Sequence, residues 1–258
     1  MTHFERIIPL KGIHNFRDYG GYQARDGYLR RGLLWRSGQH GEATPEDLEQ
    51  VHQLGIATVI DLRGDSERVN APCLRHDAFA GTVLFHPGET GSHGRAVHEE
   101  MTSGVTTAED ARTAMIQLYK AMPYRPVLVE TYRLYFRALA ERDGASLLHC
   151  LAGKDRTGVA AAMLHGLLGV HHDDLMDDYL LTNTAGNSEK RIEAGARYLR
   201  SMGLDETAVQ VFMGVEPAFL DTALNEIAER HGSVERYAAD VLGVTPRMQR
   251  MMIERLVE

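Results

Sequence analysis

Apolar positions along the chain recur in two periods, and the switches between them predict strands alternating with helices. Thr44-Pro45-Glu46-Asp47 sets a capping hydroxyl, a proline at the first helical position and acids in the first turn, so a helix starts there and ends at Gly55. Ile56-Ala57-Thr58-Val59-Ile60 is an apolar, partly β-branched run of buried-strand length that closes on Asp61-Leu62-Arg63. Thr82-Val83-Leu84-Phe85-His86 reads as another strand, stopped by Pro87, and Ser146-Leu147-Leu148-His149 as a short one. Helices are predicted from near Ala108 to Met122 and over the segment that carries Leu128, Tyr132, Tyr135, Phe136 and Leu139 on one face. Arg156 to Leu168 is an Ala- and Leu-rich helix ended by Gly169. Beyond it the pattern is nearly all helical, with stops at Gly203, Gly232 and Gly243. Met248, Met251, Met252 and Leu256 form a helical stripe of core type. The sum is one α/β domain over residues 1–258, a central mainly parallel sheet flanked by helices, with a helical C-terminal half. From Gly88 to about Thr107 the chain is polar, and the stretch 79–126 is expected to be a lid-like insertion over the site.

Composition narrows the function classes. Hydrophobic residues make up 43% and charged residues 25% of 258, an ordinary globular balance. The formal net charge of −8 supplies no broad basic surface, which argues against a nucleic-acid partner. No apolar run approaches the roughly 18 residues that cross a bilayer, so no membrane insertion is expected. The N-terminus shows no signal peptide, and the expected location is cytoplasmic. Cys73 and Cys150 are the two cysteines, with no Cys-x-x-Cys and no zinc spacing, which suggests a reducing compartment and neither metal nor cofactor. His171-His172-Asp173-Asp174 invites a metal reading, but it precedes an amphipathic segment and is better read as a helix start with Asp173 as its cap. No feature sets an oligomeric state.

The chemistry is concentrated in His149-Cys150-Leu151-Ala152-Gly153-Lys154-Asp155-Arg156-Thr157-Gly158. A cysteine ends a predicted strand and an arginine opens a predicted helix. The backbone N–H groups of Leu151, Ala152, Gly153, Lys154 and Asp155 can wrap a tetrahedral anion at the helix N-terminus. The same convergence favours a cysteine thiolate, and Arg156 can fork two N–H groups onto phosphate oxygens. Gly153 and Gly158 allow close backbone approach and tight packing. The spacing does not fit an ATP-binding loop: Asp155 follows Gly153-Lys154 where a serine or threonine is required, and Leu148 stands in place of the first glycine.

At these residues the chain resembles the Cys-x5-Arg phosphatases, and among them the bacterial atypical protein-tyrosine and phosphoinositide phosphatases with a His-Cys-x-x-Gly-Lys-Asp-Arg-Thr-Gly loop. Asn15-Phe16-Arg17-Asp18, Gly20-Gly21, Leu34-Trp35-Arg36-Ser37 and Asp61-Leu62-Arg63 are similar to that family's N-terminal blocks. Asp178-Tyr179-Leu180-Leu181-Thr182-Asn183 is similar to the stretch after its catalytic helix. The resemblance implies a tyrosine-phosphatase-like fold and metal-free hydrolysis of phosphate monoesters through a cysteinyl-phosphate. It implies Cys150 as nucleophile, Arg156 as phosphate clamp and Thr157 as a hydroxyl that hydrogen-bonds the thiolate. The expected partner is a phosphorylated protein, on phosphotyrosine foremost and with dual specificity open, or a phosphoinositide.

One departure concerns the proton donor. The only tryptophan, Trp35, is followed by Arg36, so no Trp-Pro-Asp acid loop is present. Asp155 is the first candidate acid, against a bracing role for loop amides or Arg156. Asp61 is the second, although a structural pair with Arg63 that orients the loop is the better reading of both. Lys154 adds a fixed charge suited to a multiply phosphorylated substrate. A phosphate-ester-binding module without turnover, and a sulfurtransferase, are the readings from other classes.

Overall fold

The computed structural model describes residues 6–91, 104–185 and 188–258. Its centre is a five-stranded sheet ordered β1 (Arg17–Asp18), β4 (Leu34–Ser37), β7 (Ala145–His149), β5 (Ile56–Asp61), β6 (Thr82–Leu84). β4, β7, β5 and β6 are parallel, and β1 is antiparallel to β4. A separate hairpin pairs β2 (Gln23–Ala24) with β3 (Gly27–Tyr28). The three inner strands alternate between two cores, as a pleated sheet covered on both faces must. Leu34, Ile60 and Leu148 enter the larger core, while Trp35, Val59 and Leu147 enter the smaller one.

The smaller core lies under α1 (Pro45–Gln53) and the N-terminal segment, with Leu48, Val51 and Leu54 packed against a cluster that includes Leu10, Ile13 and Phe16. Thr44 and Asp47 close a reciprocal capping box on α1, as the sequence pattern predicts. α2 (Asp65–Asn70) follows β5 directly. The larger core is covered by α3 (Ala108–Ala121), a 3-10 turn (Met122–Tyr124), α4 (Pro126–Glu141) and α5 (Asp155–Leu168). The C-terminal half adds α6 (His172–Leu180), α7 (Ser188–Ser201), α8 (Glu206–Met213), α9 (Pro217–His231), α10 (Val234–Asp240) and α11 (Pro246–Leu256). Gly203, Gly232 and Gly243 end helical segments in the left-handed conformation, which glycine adopts without steric cost. Met252 and Leu256 are buried, and Met248 and Met251 pack against the same core.

Two expectations are revised. The stretch 79–126 is not a lid as a whole: β6 is an edge strand of the main sheet, and α3 buries Ala111, Met115, Leu118 and Tyr119 against the body. Of the remainder, 92–103 lies outside the described residues. α6 is capped by His171, whose Nδ1 accepts the Asp173 N–H at 3.3 Å, and Asp173 sits inside the helix instead of capping it. Both side chains are exposed at a helix N-terminus, and the first residue with non-helical backbone takes the capping role.

Candidate active site

Cys150 follows β7 directly and is 2% exposed; α5 begins at Asp155. The turn between them is forced by Gly153, which has φ +65° and lies against β4. A Cβ there would overlap the carbonyl of Ser37 and the nitrogen of Gly38. The Gly153 carbonyl accepts from Asn15 Nδ2 at 2.7 Å and from Arg36 Nη2 at 3.1 Å. With that carbonyl drawn into the body, the backbone N–H groups of Ala152, Gly153, Lys154, Asp155 and Arg156 donate to no protein acceptor among the described residues. Five unpaired N–H groups at the start of a 14-residue helix make a seat for an anion. Gly158 lets the Tyr179 ring come close against the helix; a Cβ would meet it at 2.8 Å.

The groups that hold the loop come from distant parts of the chain. Arg36 Nη1 reaches Asp178 Oδ2 at 2.5 Å, and Arg17 Nε reaches Asp178 Oδ1 at 3.1 Å. Arg17 also bonds Asn15 Oδ1, the Asp178 carbonyl at 2.7 Å and Thr182 Oγ1 at 3.3 Å. Asn15 is itself in the left-handed region, with φ 59°. All of these side chains are buried. Burial and the neighbouring Arg36 lower the Arg17 pKa to about 10. Burial alone would raise the Asp178 carboxyl, but the two guanidiniums hold it well below the usual carboxylate range.

Arg156 is oriented by Glu67 of α2, with Nη1 and Nη2 on the two carboxylate oxygens at 2.5 and 2.7 Å. Nη1 also donates to Thr90 Oγ1 at 3.0 Å and to the Leu62 carbonyl at 3.3 Å. Among the described residues Nε–H and the outer N–H of Nη2 have no acceptor, so the side-on edge of the guanidinium is left for two oxygens of a ligand. Burial opposes the charge of Arg156, but Glu67, Cys150 and Asp155 together raise its pKa and hold it protonated. Thr157 Oγ1 is buried without a hydrogen-bond partner among the described residues.

Asp155 Oδ1 accepts from the Tyr119 hydroxyl at 2.7 Å, and Tyr119 in turn lies 2.7 Å from the Tyr179 hydroxyl. Burial, then the charge of Asp155, puts the Tyr119 hydroxyl well above its ordinary pKa, so it serves as a donor to the carboxylate. Asp155 Oδ2 takes no partner among the described residues. Lys154 is buried, and its ammonium donates to the carbonyls of Phe212 and of Gly214, the latter at 3.0 Å. Asp61 is bound by Arg63 through Nε at 2.9 Å and Nη2 at 2.7 Å, and lies 3.7 Å from His149 Nε2. Burial would raise Asp61, yet His149 and Arg63 hold it at about 2. His149 is itself buried, with a pKa below its ordinary value for that reason first.

The structure thus gathers Cys150, Asp155, Arg156, Thr157 and the loop residues 151–154 at the head of α5, and sets Asp61, Arg63 and His149 beside its root as a buried cluster. Reading the sequence for chemistry does not find Glu67, Thr90 or Tyr119. Glu67 sits in the charged run Asp65-Ser66-Glu67-Arg68, which has the look of a solvated face, and its one signal is nearness to the end of β5. Among the described residues there is no group of three or more His, Cys, Asp or Glu side chains that could hold a metal ion, and no helix long and apolar enough to cross a membrane.

Fold and site define an α/β protein whose mainly parallel sheet ends in a cysteine, a turn of unpaired N–H groups and an arginine at the head of a helix. The chain belongs to the tyrosine phosphatase family, whose model matches residues 8–258, and it is therefore a hydrolase of phosphate esters. A protein of Cupriavidus necator that bears the name of a tyrosine-protein phosphatase is 32% identical over 92% of this chain and 84% of its own. The triple specificity protein phosphatase PtpB of Mycobacterium tuberculosis is 27% identical over 91% of this chain and 93% of its own. A tyrosine-protein phosphatase of Nostoc commune is 29% identical over 62% of this chain and 53% of its own. The crystal structure of P. aeruginosa TpbA matches 75% of this chain and 96% of its own, at 20% identity and a TM-score of 0.34.

Proposed function

We propose that the chain is a metal-independent, cysteine-dependent phosphatase whose main substrate is protein phosphotyrosine, with phosphoserine and phosphothreonine as lesser ones. The observation that carries this reading is the run of unpaired N–H groups from Ala152 to Arg156, closed at one end by Cys150 and at the other by an arginine with a free side-on edge. In the first step the Cys150 thiolate attacks phosphorus and the bond from phosphorus to the ester oxygen breaks, with Asp155 protonating the departing oxygen. The loop N–H groups and the Nε/Nη2 edge of Arg156 hold the three equatorial oxygens as charge shifts among them. In the second step water attacks the cysteinyl-phosphate, its proton returns to Asp155, and the thiolate leaves with the Thr157 hydroxyl available to it. The orphaned Thr157 Oγ1 supports that last role.

A phosphoinositide substrate is the runner-up; it follows from the family resemblance, with Lys154 as the candidate reader of a second phosphate. The bonds of that ammonium to two carbonyls of the α8 end make it a brace for the loop, which favours the monophosphate reading. Hydrolysis of an aryl phosphate and of phosphotyrosine, phosphoserine and phosphothreonine peptides should proceed in EDTA. Cys150→Ser should abolish all four activities while still binding the phosphotyrosine peptide. Activity that disappears in EDTA and returns with a divalent metal, or a Cys150→Ser protein with wild-type turnover, would overturn the proposal.

A further inference from the structure

Between α1 and the sheet, in the smaller core, lies a cavity of about 510 Å³. No residue of the 150–156 loop lines it, and Cys150 itself packs on the opposite side with the larger core. Its walls are apolar: Leu48 and Val51 of α1, Val59 and Leu147 of the sheet, and Phe79. Its floor reaches the buried rings of His40 and His149, whose centroids are 5.9 Å apart. The volume is that of a pocket for a small organic molecule.

The lining also carries two arginines. Arg142 Nε donates to Thr58 Oγ1 at 3.1 Å, and its Nη2 donates to Thr82 Oγ1. Arg75 donates to the Cys73 carbonyl at 3.4 Å and stands 5.7 Å from the centre of the Phe79 ring. Both arginines line the cavity, and among the described residues neither has a carboxylate partner. The Glu49 carboxylate lies 3.1 Å from His76 Nε2. Two unpaired cations held by neutral groups beside an apolar chamber are complementary to one anionic group on an apolar body.

We propose that this cavity binds an apolar monocarboxylate, with the carboxylate on Arg142 and Arg75 and the hydrophobic body between α1 and β5. The site is separate from the phosphate seat and does not rest on the catalytic reading above. Cys73, partly exposed, lines the same cavity and reports on it. Its thiol accepts the His40 N–H at 3.3 Å and is pushed up in pKa by burial, so alkylation will be slow but measurable at alkaline pH.

The test uses 2-naphthoate with the full-length Cys150→Ser protein, in which Cys73 is the sole thiol, and follows iodoacetamide labelling of Cys73. Saturating 2-naphthoate should slow labelling at least about fivefold, and the neutral 2-naphthamide should bind about tenfold more weakly for want of charge-assisted bonds. Inorganic phosphate should neither protect Cys73 nor displace the naphthoate. Arg142→Gln should raise the half-protecting naphthoate concentration about fivefold to tenfold and Val51→Trp should abolish protection, and each change made with Cys150 intact should leave aryl phosphate hydrolysis and the thermal midpoint near wild type. Protection by phosphate, equal binding of acid and amide, or an unchanged half-protecting concentration in Arg142→Gln would overturn the site. A Val51→Trp protein that folds and still binds would show the ligand to be elsewhere.

Discussion

At Gly153 two demands meet in one residue: a left-handed backbone and the absence of a side chain where the loop rests on Ser37 and Gly38. Gly153→Ala should therefore push the loop away from β4, lower kcat/KM at least about hundredfold and weaken phosphate binding with it, since ångström-scale displacement of reacting groups costs that much. An alanine variant with normal kinetics would show that the loop does not need this anchor. Asp155 and Asp61 differ in a way the structure makes concrete. Asp61 is tied by both oxygens to Arg63 and held at about 2, which leaves it ionised and poorly placed to give up a proton. Asp155 keeps one oxygen unpartnered beside the loop. Asp155→Asn should slow hydrolysis of alkyl phosphates about a hundredfold or more, and that of a nitrophenyl phosphate by less than about tenfold, because the activated phenolate departs unprotonated. Asp61→Asn should lower both rates alike. A steeper leaving-group dependence in Asp61→Asn would move the acid to the strand end.

Between elements, Asp178 of α6 bridges Arg17 of β1 and Arg36 of β4; Arg36 anchors the loop itself, and Arg17 holds the second anchor, Asn15. Removing one partner from a buried charged group leaves the other uncompensated, so Asp178→Asn should destabilise the fold by about 3–5 kcal/mol, read as a lower urea midpoint at unchanged slope. A change under about 1 kcal/mol would mean that the arginines find other acceptors. The order of strands and helices was legible because capping residues, β-branched runs and glycine stops are local signals, as in Thr44-Pro45, Ile56–Ile60 and Gly232. The decapeptide from His149 to Gly158 carried its chemistry openly for the same reason. What local pattern could not convey was pairing. Arg17, Arg36 and Asp178 lie in blocks that can be quoted from the sequence, but nothing in their spacing says that one carboxylate faces two guanidiniums. Glu67 and Tyr119 are legible only as a charged helix residue and an apolar-face aromatic. Their roles arise from the sheet, which sets α2 and α3 beside the head of α5.

For the molecule as a whole, buried ionisable groups set the pH range of stability. His40, His149 and His165 have pKa values below the ordinary 6.5, in each case first because burial disfavours their charge. The unfolded chain takes up protons below about pH 6.5 that the folded one refuses, so stability is full above that value and falls as pH drops. Each histidine contributes a slope on the order of 1 kcal/mol per pH unit. Asp61 and Asp178, depressed in the fold, add a second loss below about pH 4 as protons displace their ion pairs. Urea midpoints should be level from pH 7 to 8 and decline through 6 and 5, with a shallower decline in His165→Asn; a flat profile down to pH 5 would contradict this. The three-way link of Arg17, Arg36 and Asp178 also has a consequence for how the chain is made. Both arginines and the whole decapeptide leave the ribosome before residue 178 does. Until α6 emerges, two cations destined for the interior lack the carboxylate that pairs them, and the turn after Cys150 lacks a fixed floor. A nascent chain that already contains the whole decapeptide is thus expected to order its loop only once residue 178 has joined Arg17 and Arg36, so folding of the site should lag behind synthesis of its residues.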